Sequence, residues 1–245
     1  ANKSFSRGID TIGAEASIAF VGNTRHNVPF MLKHVDLFEP VPEQYHDSAF
    51  LDRLHFYIPV WEVEIIRDEM FSDGYGFVLD YLAEILHHMR NYDYSQGYTD
   101  AFELLPGLST RDETAINKTF SGLVKILFPG GEAPKDEKQK LLDFAVEGRK
   151  RVKDQLMRID TTFDPVKFGY KDLATGEVRR IQTREERKYP HHYYRKAQIE
   201  EGIEGTVPLV EHAVPVPCDQ IDEEVERDLK EIESDFPEEK HLTFD

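Results

Sequence analysis

Three residues pair chemically useful side chains with positions that folding alone does not readily explain. Asn23 follows a short apolar run, Ile-Ala-Phe-Val at 18–21, and Gly22. Such a run reads as a buried strand of an α/β sheet, and the rim past the carboxyl ends of those strands is where ligands sit. Gly-Asn is also a common turn pair, so Asn23 suits a turn equally well. Arg53 ends an amphipathic helical segment carrying Phe50, Leu51 and Leu54, and runs into a second predicted strand, 56–58. Pairing with Asp52, Asp47 or Glu43, or the helix dipole, would account for a cation there. Arg111 falls in the first turn of a helix that Ser109 caps, where the dipole opposes a cation. Its charge needs another reason: pairing with Asp112 or Glu113, or holding a phosphate.

A second group suits a polyanion. Lys3, Phe5 and Arg7 place an aromatic ring between cations, a combination that neutralises phosphates and stacks on bases or sugars; an ordinary exposed terminal loop explains them as well. The run Arg149-Lys-Arg-Val-Lys153 is locally basic and could support such contacts. The formal net charge of −17 argues against a uniformly basic face, so any cationic surface has to be local. His87-His88 and His191-His192 are adjacent pairs without Cys or carboxylates at zinc-like spacing, and no metal is expected. The single cysteine, Cys218, forms no internal disulfide and suits a reducing cytoplasm. No apolar run approaches the ~18 residues that span a bilayer.

The elements that would position these residues follow from periodicity. Residues 1–15 read as a hairpin or loop, and 16–66 as two strands with a helix between them, the connection at 27–43 being broken by Pro29, Pro40 and Pro42. A helix from about Tyr75 has Phe77, Val78, Tyr81, Leu82, Ile85 and Leu86 on one face. Another starts at Ser109 with Ile116, Phe120, Leu123, Val124 and Leu127 inward, and ends at Pro129-Gly-Gly131. A third covers 135–159, with Leu141, Leu142, Phe144, Ala145, Val152 and Leu156 inward. Residues 168–181 suggest a hairpin turning at Ala174-Thr-Gly176. Residues 207–217 are proline-punctuated, fit for an edge strand or linker, and 219–235 form an acidic amphipathic helix.

The pieces Lys3-Ser-Phe-Ser-Arg-Gly8, Ala19-Phe-Val-Gly-Asn23, Glu43-Gln-Tyr-His-Asp-Ser-Ala-Phe-Leu-Asp-Arg53 and Leu108-Ser-Thr-Arg-Asp-Glu-Thr-Ala-Ile116 resemble the Lon-related BrxL proteins of BREX anti-phage systems over roughly residues 1–160. More distantly, the layout is similar to Lon proteases and minichromosome-maintenance helicases. The resemblance implies an α/β remnant of an AAA+ domain (1–66), a mainly helical lid bundle (67–160) and a mixed C-terminal extension (161–245). It implies a homo-oligomeric ring ATPase, using ATP and Mg²⁺ and associating with DNA, in which Asn23 orients the attacking water, Arg53 reaches a neighbouring subunit's γ-phosphate and Arg111 is the lid's phosphate sensor. Phosphoryl transfer is catalysed mostly by such alignment and charge stabilisation. The hairpin with Lys3, Phe5 and Arg7 would point into the ring's pore.

Two departures bound the expectation. The sequence has no G-x-x-x-x-G-K-[ST] loop and no apolar strand ending in paired acids, so this stretch by itself is expected neither to bind ATP tightly nor to hydrolyse it. It reads as the C-terminal piece of a larger cytoplasmic protein. No Lon-type Ser–Lys dyad is found either, since Ser234 has no suitable lysine-bearing context. The competing reading is a non-catalytic interaction module that binds partners through its helical bundle and acidic tail.

Overall fold

The computed structural model describes residues 4–7, 10–13, 17–76 and 78–193. Its centre is a helical hairpin. Ser109 starts α4 (Thr110–Leu127) with a capping box, its side chain accepting from the Asp112 amide while Asp112 accepts from the Ser109 amide. Gly131, at φ +81°, lies in the turn that leads to α5 (Lys135–Ile159). Ile116, Phe120 and Val124 of α4 meet Leu141, Leu142, Ala145 and Val146 of α5 in one buried cluster. Phe144, expected inward, is about half exposed and instead lies against the Phe56 ring, with 4.9 Å between centroids. Leu127, also expected inward, is exposed in the last turn of α4.

A three-stranded antiparallel sheet closes this core. Its order is β3 (Phe102–Leu104), β4 (Gly169–Asp172), β5 (Val178–Arg180), in the register Phe102↔Asp172 and Tyr170↔Arg179. The hairpin turns where the sequence indicates: Asp172 Oδ1 accepts from the amides of Ala174 and Thr175, and Gly176 takes φ +75°. Phe102, Phe168, Tyr170 and Ile181 pack into the same cluster as α4 and α5, so the core runs across the 160/161 boundary drawn from sequence.

The earlier part of the chain wraps the far end of α5. Asn27 caps α1 (Val28–His34), whose Val28, Met31 and Leu32 pack with Tyr189 and Tyr193. Those tyrosines follow and close two short helices, α6 (Arg184–Lys188) and α7 (Pro190–Tyr193). A single turn, α2 (Ser48–Leu51), is capped by Asp47 and buries Leu51 against Val152 and Leu156. Phe56 rests where α5 has Gly148: a Cβ there would stand 2.0 Å from the ring. The Tyr57 amide donates to the Gly148 carbonyl at 3.4 Å.

Three expectations are corrected. Residues 18–21 and 56–58 form no strands; Ile18 is 76% exposed and Val21 96%. A buried strand needs neighbours for its backbone groups, and the described residues offer 18–21 none. Phe20 instead packs edge-on against Tyr45 and Phe50. The helix expected from Tyr75 exists as α3 (Leu79–Met89), but its apolar face is not covered: Tyr81, Leu82 and Leu86 are exposed and only Met89 is buried. Finally, the basic run 149–153 is not a free cationic surface. Arg149, Lys150, Arg151 and Lys153 are all buried, because their charges are taken up inside the molecule.

β1 (Ser4–Arg7) pairs with β2 (Asp10–Gly13) in the expected hairpin, Phe5 opposite Ile12 and Arg7 opposite Asp10. Lys3 and the segments at 207–217 and 219–235 lie outside the described residues. Among the described residues, no helix is long and apolar enough to cross a membrane.

Candidate functional site

The second half of α5 is a row of buried ions. Lys150 pairs with Asp154 (2.6 Å) and Glu186 (3.0 Å), and the Tyr193 hydroxyl donates to Asp154. Arg151 pairs with Glu147 (2.6 Å) and Glu185 (2.9 Å). Lys153 lies 4.5 Å over the Phe163 ring. The acids of α6 thereby fasten residues 184–193 to α5. Burial opposes the charge on Lys150, but Asp154, Tyr193 and Glu186 outweigh it and hold the ammonium charged. The Glu186 pKa is also raised, which for a carboxyl disfavours its charge: burial raises it and Lys150 only partly offsets that.

At the middle of α5 the same device gathers one of the arginine candidates, Arg111, around Arg149. Arg149, with no exposed surface, donates from Nη2 to Asp52 Oδ1 (2.6 Å) and from Nε to Asp112 Oδ1 (2.7 Å). Its Nη1 bridges the backbone carbonyls of Asp52 (3.0 Å) and Leu54 (2.7 Å), binding the stretch after α2 to α5. Arg111 Nη1 donates to the other Asp52 oxygen, Oδ2, at 2.5 Å, while its side chain stays 51% exposed. The sequence suggested Asp112 or Glu113 as its partner; the observed partner is 59 residues away. Burial would raise the Asp52 pKa, yet the hydrogen bonds from Arg111 and Arg149 prevail and hold the carboxyl below its usual range.

Arg53, the next residue, is exposed. It donates back to the Ala49 carbonyl, and among the described residues its guanidinium makes no ion pair. Asn23 is exposed as well, in the stretch before α1, and among the described residues no hydrogen bond joins it to either arginine. Phe5 and Arg7 lie on β1. His55 is half-buried nearby: burial first, then the charges of Lys118 and Arg149, push its imidazole down to about 4.

Asp52 and Arg149 were the members that sequence reasoning placed elsewhere. Helical spacing did carry a signal, because 142, 145, 146, 149, 152 and 156 recur at intervals of three and four. A cation on that buried face requires buried acids.

The profile described as "Lon-like protease BrxL-like, ATPase domain" matches residues 1–169. The chain belongs to the BrxL family. It is 40% identical over 220 residues to "Lon-like protease BrxL" of Bacillus cereus (strain H3081.97), an alignment covering 85% of this chain and 32% of that protein. It is 41% identical over 178 residues to "Lon-like protease BrxL" of Escherichia coli O9:H4 (strain HS), covering 72% and 26%. The chain thus spans about a third or less of these curated relatives. The profile covers β1 through α5, and with them Asp52, Arg53, Arg111, Asp112 and Arg149.

Proposed function

We propose that the chain is part of a ring-forming, cytoplasmic BrxL-type AAA+ motor that couples ATP hydrolysis to remodelling of DNA or protein in phage defence. In this reading 1–66 is the second half of the α/β subdomain, 67–160 the helical lid and 161–245 the extension, with the 169–180 hairpin packed on the lid. The observation that carries it is the Asp52 cluster, in a chain matched by an ATPase-domain profile. Asp52, the residue preceding Arg53, pairs with Arg111, the first-turn cation of α4. Half-exposed Arg111 on the cluster, and exposed Arg53 one residue along the chain from Asp52, carry guanidinium groups suited to phosphate oxygens. Arg53 would contact the γ-phosphate of a neighbouring subunit, Arg111 would sense it, and Asn23 would orient water. ATP supplies the transferable phosphoryl group. The acids of the cluster do not fit Mg²⁺, because Asp52 and Asp112 are already neutralised by arginines.

The test is nucleotide binding and turnover in the full-length protein. Arg53→Ala is expected to abolish hydrolysis while ATP still binds, and Arg111→Ala to weaken nucleotide affinity. Unchanged turnover in the first variant overturns the finger assignment, and an unchanged titration in the second removes Arg111 from the site. DNA contact is assigned to the hairpin, through Lys3, Phe5 and Arg7. Replacing Lys3 and Arg7 by Ala should lower the DNA affinity of the assembled protein and flatten its salt dependence, and an unchanged slope counts against that assignment. The exposed apolar face of α3 favours a second reading, a partner-binding module; it predicts partner capture without nucleotide turnover.

A further inference from the structure

We propose that Asp52 is an intramolecular counter-ion for Arg111, and that a nucleotide phosphate engages Arg111 by displacing this carboxylate. The inference rests on the reading of Arg111 as a phosphate-contacting residue, and adds what regulates it.

The geometry of the cluster is asymmetric. Asp52 is buried and held in two ways that do not involve Arg111: Oδ1 takes the Arg149 Nη2 bond, and its backbone carbonyl accepts from Arg149 Nη1. Arg149 in turn is fixed by Asp112, whose other oxygen accepts from the Ser109 amide and hydroxyl. None of these bonds is made by Arg111. Arg111 has a single bond to the cluster, and half of its side chain faces solvent. It is therefore the exchangeable member. Moving it to another anion leaves Asp52 still paired with Arg149, so the exchange avoids the large penalty of a bare buried charge. What is given up is one partly solvated, charge-assisted bond.

Two consequences distinguish a counter-ion from a structural pair. Asp52 competes with phosphate, so its charge weakens nucleotide binding rather than supporting it. The effect also passes entirely through Arg111, so it vanishes when Arg111 is absent.

The experiment uses full-length protein titrated with ATPγS, comparing the parent with Asp52→Asn, Arg111→Ala and the double variant. Asp52→Asn should bind about two- to fivefold more tightly, the worth of a partly solvated ion pair. Arg111→Ala should bind more weakly, and adding Asp52→Asn to it should change nothing further. If Arg111→Ala binds as the parent does, the phosphate reading itself fails. If Arg111→Ala is weakened but Asp52→Asn is not tighter, or acts equally without Arg111, the counter-ion proposal fails alone. Should Asp52→Asn not fold, a structure of the unaltered protein with ATPγS decides. Arg111 off Asp52, with the Asp52–Arg149 pair kept, supports the proposal; Arg111 still on Asp52 overturns it.

Discussion

The two halves of α5 solve the same problem by different physics. The first half, through Val146, buries aliphatic side chains against α4 and the sheet. The second, from Arg149 to Arg158, buries cations against acids drawn from α2's end, from α4 and from α6. Apolar burial is non-directional and accepts any partner of suitable size. Buried ion pairs are directional and strongly penalise a missing member. The first half therefore supplies bulk stability, while the second dictates which segments dock on it and where.

The sharpest way to break this contrast is to remove one buried cation. Arg149→Ala should destabilise the chain by about 3–5 kcal/mol, because Asp52 and Asp112 would lose their shared partner. That equals or exceeds the roughly 2–5 kcal/mol expected for Leu142→Ala in the first half. Denaturant unfolding of both variants measures the difference. A change within about 0.5 kcal/mol for Arg149→Ala would mean that the run behaves as ordinary solvated surface.

A milder probe trims one hydrogen bond and keeps every charge. Tyr193→Phe removes the hydroxyl that donates to Asp154, while Lys150 still neutralises that carboxylate. A loss of about 1–3 kcal/mol by the same unfolding measurement is expected. No loss would show that this hydroxyl adds nothing to the hold on α7.

The smallest effect concerns pH. His55 sits beside the ionic half with its pKa lowered from 6.5 to about 4. Between these values the unfolded chain binds a proton that the folded chain refuses, so stability falls as pH drops from 6.5 toward 4. Glu186, with a raised pKa, acts in the opposite sense, so the parent's total slope mixes the two. The readout is consequently the difference in melting temperature between parent and His55→Gln, which should shift in the variant's favour across that window. A constant difference would place His55 in solvent.

The sequence was most legible where a local rule suffices. Ser109 and Asp112 mark the start of α4 through bonds made within four residues, and Ala174-Thr-Gly176 marks the β4–β5 turn in the same way. The span 135–159 is legible because its apolar residues recur at helical spacing on both sides of Arg149. What failed depends on distant partners. An apolar run such as 18–21 becomes a strand only if another strand lies beside it. The run at 149–153 looked solvated because hydropathy treats each charge alone, whereas its acids come from residues 52, 112, 185 and 186. Arg111 was singled out for the right local reason, an unfavourable dipole, but its partner lay on another element.

Gly148 sets an order of events. Phe56 settles into the notch this residue leaves, and that notch exists only once α5 has wound. The bonds fastening the earlier segment to α5 close long loops: Leu37 with Gln155 across 118 residues, Asp52 with Arg149 across 97. Closing loops of that length costs entropy before any contact repays it, whereas the α4–α5 hairpin forms from near neighbours. The expected sequence is hairpin first and wrapping segment last, with the segment also first to open. Hydrogen exchange would record this as weaker amide protection at residue 57 than at the middle of α4; equal protection would mean the two parts form one cooperative unit.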